Sequence, residues 1–253
     1  MGRSLVVLAL TAGVGCQVPS QQKENGAAVW PQRDQVAAAA RVAKSRGLSA
    51  VTYSGGPIPE YARADSLDQA IGGHLFAFLV EILGKRCTLS ADGNTIESWY
   101  PARMVDDFGR TLPRGSDPTD IGPPPPSDLL PIGENSLLLV QGGGSVEMNG
   151  VVVTMPETTG AFRIGHKYLV FDGINHNKDG SLARVANPEF ETASYSYDEQ
   201  TDRFAPLSGD GLDGLTEDLM RRSGGSFRSL CLAIRSVAAA APRSSREQRR
   251  AAQ

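Results

Sequence analysis

The sequence contains only three cysteines and three histidines, and it has no long hydrophobic run. Neither a CxxC pair nor an HExxH segment occurs, so the common zinc and thiol redox motifs are missing. No segment approaches the roughly 20 apolar residues of a transmembrane helix. GxxxxGKS and GxSxG are absent as well, so the usual nucleotide loop and hydrolase elbow are unsupported. We therefore expect no cofactor and no metal.

Aromatic residues make up only 6% of the 253 residues, whereas the chain holds 28 glycines and 16 prolines. This composition is typical of strands joined by loops and does not favour a helix bundle. The length allows one domain with extensions or two small ones. The net charge of -3 excludes a globally basic surface, so we expect no nucleic-acid partner.

The first sixteen residues have the layout of a secretory signal peptide. Arg3 supplies a positive charge before the apolar run over 5–14, and a polar segment follows from Gln17. A buried N-terminal strand or helix is the alternative. We predict an exported protein of the periplasm, the cell surface or the extracellular space.

Cys16 adds a second hypothesis about this signal. Val14, Gly15 and Cys16 match the end of a bacterial lipoprotein signal, in which the cysteine thiol is lipidated. Gly13 departs from the leucine that is usual there, so a soluble form cut near Ala12 or Gly15 is the alternative. Membrane contact is expected only through this lipid anchor.

Cys87 and Cys231 are the two remaining cysteines. An oxidising compartment would permit a disulfide between them. Two separate buried thiols are the alternative, and the sequence does not choose, because it does not give the distance between them.

The chain divides into four predicted parts. The signal occupies 1–16, and a polar tether with an Ala-rich helix occupies 17–52. A β-barrel domain with C-terminal helices fills 53–241, and 242–253 is predicted to be a disordered basic tail. We expect Asp34 to cap the first helix, which would run to Arg46 and stop at Gly47, and Ser66 with Gln69 to form a capping box.

Between His74 and Leu207 we count eight to nine short strands separated by turn residues. Residues 74–83 and 136–141 are apolar strands, and Pro101 in the strand over 95–105 indicates an edge or a bulge. Asn149 and Gly150 predict a type I′ hairpin. Two C-terminal helices follow over 215–222 and 226–240. The fold class is mainly β, an antiparallel OB-like barrel or sandwich with flanking helices.

A short motif supports the barrel. Gly142 to Gly144 precede the stretch F-x-x-G-x-x-Y-L-x-F, which consists of Phe162, Gly165, Tyr168, Leu169 and Phe171. This order resembles exported bacterial surface proteins and the OB-like barrel of netrin and tissue-inhibitor-type domains. The resemblance implies a barrel topology over about two thirds of the chain and brings no catalytic residue. By their residue types, the aromatic positions and Leu169 should fill a core.

Two sets of residues could carry chemistry. Ser145, His166 and Asp172 could form a dispersed hydrolase site, whereas His74 and His176 lack metal-helix spacing. Asn175, Asn177 and Asp179, with Gly180, match the start of a calcium loop. Ala186 stands where the loop needs a glutamate, and a hairpin turn explains the same residues.

The sequence thus favours an exported, non-enzymatic binding or structural module of the bacterial cell envelope. Its partner would be a protein or an envelope component. An extracytoplasmic hydrolase with a dispersed site is the alternative.

Overall fold

The computed structural model describes residues 34–54, 64–72, 76–108, 125–130, 132–133, 135–157, 160–172, 174–176, 182–186, 194–207 and 214–240. The predicted signal peptide with Cys16, the tether over 17–33, His74 and the basic tail lie outside these residues.

The helices and strands of the described chain are short and closely follow the predicted boundaries. The helices are α1 (Gln35–Ser45), α2 (Leu67–Gly72), α3 (Gly214–Ser223) and α4 (Phe227–Ala240), with a 3-10 turn at Ser127–Leu129. The strands are β1 (Ala50–Thr52), β2 (Phe76–Ile82), β3 (Arg86–Leu89), β4 (Ile96–Asp106), β5 (Ser136–Gly142), β6 (Gly144–Met148), β7 (Val151–Met155), β8 (Lys167–Asp172), β9 (Ile174–His176), β10 (Leu182–Ala186), β11 (Ser194–Asp198) and β12 (Arg203–Pro206).

The fold is mainly β, as predicted, but its strands form two sheets. One sheet has the order β1-β7-β6, and the other has the order β12-β11-β8-β2-β4-β5-β10-β9, with β3 pairing β4. The described strands form no closed barrel, because β12 and β9 end the path of the large sheet. The count of eight to nine strands between His74 and Leu207 was too low, since eleven of the described strands lie in that range.

Two pairs of strands are parallel, although the sequence predicted an antiparallel fold. β1 lies parallel to β7, and β10 lies parallel to β5. In both pairs the partners are far apart in sequence, so no turn residue between them announces the pairing. The prediction of a wholly antiparallel arrangement was wrong on this point.

The contacts divide the chain into two compact units that interleave along the sequence. The smaller unit draws on 1–59, 87–98 and 142–157, and the larger on 60–86, 99–141 and 158–253. In the smaller unit, α1 packs its alanine face on the three-stranded sheet. Its buried core consists of Val36, Ala39, Ala40, Ala43, Val51, Tyr53, Ile96, Val151, Val153 and Met155.

The hairpin of the smaller unit is the one that the sequence predicted. Met148 pairs with Val151, and Asn149 and Gly150 have φ values of 54° and 78°. These positive values are those of a type I′ turn. Asp34 is the N-cap residue of α1, as predicted, but it has a φ of 65° and its side chain makes no capping bond. The helix start is instead tied to a neighbouring turn, since the Val36 amide donates to the Gly93 carbonyl.

In the larger unit, α2, α3 and α4 cover one face of the sheet. Phe227, Leu230 and Ile234 of α4 are buried with Leu169 and Phe171 of β8, which confirms the predicted apolar face. A second cluster is built around Tyr100, Phe162 and Tyr168, whose rings meet edge to face at centroid distances of 5.2 and 4.8 Å. The aromatic residues of the predicted motif are therefore core residues, as expected.

Pro101 lies where the β-ladder is interrupted. Its carbonyl accepts from the Leu83 amide at 2.8 Å, and residues 83–85 separate β2 from β3. A strand residue presents its nitrogen and its carbonyl to the same side, so the proline nitrogen faces Leu83, and the return bond to the Leu83 carbonyl cannot form because proline has no N–H. β4 is not an edge strand, since β2 and β5 flank it, and its register shift against β2 lies at Leu79 and Val80. Neither the predicted edge nor the predicted bulge is therefore found at Pro101.

Candidate binding surface

In the larger unit, a tight turn directly precedes β8 and lies beside the end of β2. Gly165 has a φ of 80°, and its amide donates to the Ile82 carbonyl at 2.8 Å. The Ile82 amide donates in return to the His166 carbonyl at 3.1 Å. The Arg163 amide donates to the buried Tyr168 hydroxyl at 2.8 Å. These bonds hold the turn beside the end of β2.

Two aliphatic side chains are exposed at this end. Ile164, in the turn, is 61% exposed, and Leu83, directly after β2, is 51% exposed. The nearby residues Ile82 and Phe162 are buried. The core therefore anchors the chain beside Leu83 and Ile164, whose own side chains face solvent. We call the segments 83–86 and 163–167 the Leu83–Ile164 tip.

The tip is basic although the protein as a whole is acidic. It contains Lys85, Arg86, Arg163, His166 and Lys167 and no acidic residue, against a net charge of -3 for the chain. Two of the cations meet acids from elsewhere in the unit. Arg86 lies 3.6 Å from Asp128, and Lys167 pairs with Glu199.

Lys85 has an additional contact that orients it. Its Nζ lies 5.4 Å from the centroid of the Tyr100 ring. Arg163, Ile164, Gly165 and His166 are consecutive exposed residues, so the turn projects cationic and aliphatic groups together. Exposed apolar groups flanked by cations are an arrangement suited to binding.

The sequence had assigned these residues to the barrel core and its turns and had not identified a surface. One pattern in the sequence does indicate the surface: in the segment 163–167, the aliphatic residue Ile164 stands among basic residues. Leu83 gave no such signal, since it ends a continuous apolar strand.

The residues predicted for the alternative hydrolase site lie on separate elements, with Ser145 on β6 and His166 and Asp172 at the two ends of β8. His166 directly precedes β8 and Asp172 ends it, so the six steps of chain from one to the other span about 20 Å at the usual rise of a strand. Their backbones are therefore not neighbours. Ser145, on β6 of the smaller unit, is exposed, and its Oγ lies 2.8 Å from the Thr154 hydroxyl. His166 and Asp172 are therefore not placed as the adjacent histidine–carboxylate pair of a hydrolase site.

A buried hydroxyl near the triple glycine has a structural role. Ser98 Oγ donates to the Gly143 carbonyl at 2.8 Å and lies 3.2 Å from Glu157 Oε1 and 3.5 Å from Cys87 Sγ. A Cβ on Gly143 would stand 2.4 Å from the Pro156 carbonyl oxygen. The glycines allow the chain to pass close to the end of β7, and Ser98 stabilises that passage.

The calcium hypothesis depends largely on residues outside those described. Asn175 belongs to β9, whereas Asn177, Asp179 and Gly180 lie outside the described chain. Among the described residues, no group of three or more His, Cys, Asp or Glu side chains is placed to hold a metal ion. The calcium site stays a prediction.

Both cysteines of the described chain are free thiols. Cys87 belongs to the smaller unit and Cys231 to the larger, so a disulfide between them stays a prediction. Cys87 packs against the core of the smaller unit, and Cys231 packs against the helical core of the larger unit. Burial, together with nearby Asp106, raises the pKa of the Cys231 thiol to about 11. Neither thiol has a cysteine partner within its own described unit.

One glycine motif bears on the expectation that the chain has no nucleotide loop. Gly209, Gly211 and Gly214 have GxGxxG spacing between β12 and α3. A dinucleotide fingerprint needs a parallel βαβ unit, but β12 pairs antiparallel with β11. Residues 208–213 lie outside the described chain. The motif therefore does not support a nucleotide site.

Comparison with protein-family models, with curated proteins and with solved structures finds no match for this chain. None of the described helices is both long and apolar enough to cross a membrane.

Proposed function

We propose that this protein is an exported, non-enzymatic binding module of the cell envelope and that the Leu83–Ile164 tip is its contact surface. The observation that carries the proposal is the exposure of two aliphatic residues, at 51% and 61%, on backbone held by main-chain hydrogen bonds. Holding such groups in water is unfavourable, and a partner that covers them recovers that free energy.

Rigidity supports a binding role for the tip. The turn over 163–166 is held by the Gly165–Ile82 bond and by the Tyr168 hydroxyl. A preformed surface loses little conformational entropy when a partner docks. The surroundings of His166, about 20 Å from Asp172 by strand geometry, support the non-enzymatic part of the proposal.

We also propose that the large sheet closes into an OB-like barrel. Closure would require hydrogen bonds between the two ends of the large sheet, β12 and β9, which the described strands leave apart in the sheet order. Each strand already bonds one neighbour, so the informative amides are those that point away from β11 and β10. Protection of these outward amides in hydrogen exchange would support closure, whereas their rapid exchange would contradict it.

Binding can be tested on envelope fractions of the producing cell. The full chain with Cys16→Ser excludes lipidation, and its cosedimentation with the envelope is compared with that of the additional double variant Leu83→Asp/Ile164→Asp. We expect the double variant to lose at least about tenfold in affinity, because two carboxylates replace the apolar contact. Leu232→Asp is the matched control, since Leu232 is 69% exposed on α4 and should tolerate the change.

Equal binding of the tip variant and the parent would contradict the proposed contact surface. Export and lipidation need a separate experiment. We expect labelled palmitate to appear in the wild-type protein and to be absent from Cys16→Ser, with the protein recovered outside the cytoplasm. Turnover in a broad hydrolase screen that is lost in Ser145→Ala would instead support the enzymatic alternative.

A further inference from the structure

We propose that the partner of the Leu83–Ile164 tip is the surface of an anionic phospholipid bilayer. The inference rests on the proposed function, because it names the partner of that same surface. It also goes beyond the sequence expectation, which allowed membrane contact only through a lipid on Cys16.

The composition of the tip argues for lipid. Peripheral membrane surfaces combine aliphatic side chains, which enter the boundary between head groups and acyl chains, with cations that meet anionic head groups. Ile164 and Leu83 supply the first part. Lys85 and Arg163 stand beside them, and Arg163 is the immediate chain neighbour of Ile164.

The charge distribution argues for an anionic surface. A protein of net charge -3 is repelled as a whole by negative lipid, so attraction must be local. The two tip segments contain four lysines and arginines and no acid, and Asp128 and Glu199 from elsewhere in the unit lie against Arg86 and Lys167. Electrostatic attraction of this kind acts within a Debye length, about 8 Å at physiological ionic strength.

The local geometry permits insertion without unfolding. Ile164 lies at a turn whose amides are bonded to Ile82 and Tyr168, so the side chain can enter lipid while its backbone stays paired. The long stem of Lys85, lying over the Tyr100 ring, suits a cation that reaches from an apolar surface to head groups.

The experiment uses the full chain with Cys16→Ser and vesicles of two compositions. We expect binding to vesicles that contain phosphatidylglycerol and none to vesicles of phosphatidylcholine alone. Ile164→Asp and Lys85→Ala/Arg163→Ala should each weaken binding by about tenfold or more, and raised salt should weaken it further. Leu232→Asp and Arg228→Ala are the controls, since both residues are exposed on α4 and belong to neither tip segment.

Insertion has its own spectroscopic test. Ile164→Trp should show a blue-shifted emission when phosphatidylglycerol vesicles are added, whereas Leu232→Trp should not. Circular dichroism of each variant establishes that the fold is retained.

Three outcomes would overturn the inference: no binding to phosphatidylglycerol vesicles, binding independent of lipid charge, or binding unchanged in Ile164→Asp. If vesicles fail but tip-dependent binding to envelopes persists and is lost on protease treatment of the envelopes, the partner is a protein. The proposed function then stands and the lipid inference fails. If both assays fail, the proposed function fails with it.

Discussion

The main-chain amide of Leu67 donates a 2.8 Å hydrogen bond to the Asp218 carboxylate, across 151 residues of sequence. Leu67 is the first residue of α2, and the Asp218 side chain is only 4% exposed. Arg222 Nε lies 2.8 Å from the same oxygen, while Arg221 contacts the other one. A buried carboxylate thus receives three donors and joins α2 to α3.

Replacing Asp218 with Asn should destabilise the protein. The substitution removes a buried charge that two guanidinium groups and an amide satisfy, so we expect the free energy of unfolding to fall by about 2 to 4 kcal/mol. Urea denaturation measures the change. Glu217→Gln is the control, because Glu217 is exposed on the same helix and its change should stay within about 0.5 kcal/mol. Similar losses for both variants would contradict a specific role of Asp218.

The same carboxylate should make stability depend on acid. Burial alone would raise the pKa of Asp218, but the Leu67 amide and the guanidinium groups of Arg221 and Arg222 outweigh it and lower the pKa. A carboxyl with a lowered folded pKa stabilises fully above its unfolded pKa of about 3.9, and the contribution is lost as pH falls through the folded pKa.

We therefore expect the wild-type unfolding free energy to decline below about pH 4. The Asp218→Asn profile should be flatter there without becoming flat, since Asp92, Asp198 and Asp202 also have lowered pKa values from hydrogen bonds to neighbouring groups. Urea titrations at a series of acidic pH values measure both profiles. Parallel profiles would show that Asp218 does not contribute.

Gly143→Ala should disrupt the smaller unit. The added Cβ would lie 2.4 Å from the Pro156 carbonyl oxygen and 2.5 Å from the Glu157 Cα, on backbone with a φ of 104°. We expect a loss of about 2 to 4 kcal/mol from the clash and the backbone strain together. Thermal and urea unfolding check this value.

Gly150→Ala separates the two causes of that loss. Gly150 also has a positive φ, of 78°, but nothing lies within 4 Å of an added Cβ. Its substitution should cost only about 1 kcal/mol. An equal loss at both positions would mean that the close approach at Gly143 has no effect of its own.

The Cys231 thiol should react slowly while the protein is folded. Because burial and Asp106 raise its pKa to about 11, little thiolate is present near neutral pH. In a Cys16→Ser/Cys87→Ser variant, we expect alkylation by iodoacetamide at pH 8 to be about 100-fold slower than in urea. Equal rates in the folded and unfolded states would refute the raised pKa.

Thiol titration also tests the predicted alternative of a disulfide. If Cys87 and Cys231 pair after export, the exported Cys16→Ser protein should have no reactive thiol in urea until it is reduced. Two reactive thiols without reduction would agree with the free cysteines of the structure.

Local sequence signals predicted the local elements well. Asn149 and Gly150 form the turn that their residue types require, and Gly165 allows the turn before β8. The apolar spacing of Phe227, Leu230 and Ile234 placed the buried face of α4 correctly. Asp34 occupies the N-cap position as predicted, but its side chain makes no capping bond, and its amide donates to the Asp92 carbonyl, which no local pattern indicates.

The sequence predicted the mainly β fold class but did not predict the candidate surface. Ile164 stands among basic residues in the sequence, but Leu83 ends an apolar run and has no distinguishing neighbour. Backbone bonds from Ile82 to Gly165 and His166 bring the two segments side by side. That pairing depends on the register between β2 and β8, whose paired residues lie 86 to 96 positions apart in the chain.

The sequence by itself determined the mainly β class, the hairpin, the C-terminal helices and the residues of the core, because residue type and spacing control φ, ψ and burial locally. The tertiary structure decided the two sheets, the parallel pairs, the Leu67–Asp218 bond and the exposure of Leu83. These features depend on contacts between distant segments, whose free energy comes from packing and hydrogen bonding across the fold and leaves no periodic pattern in either segment alone.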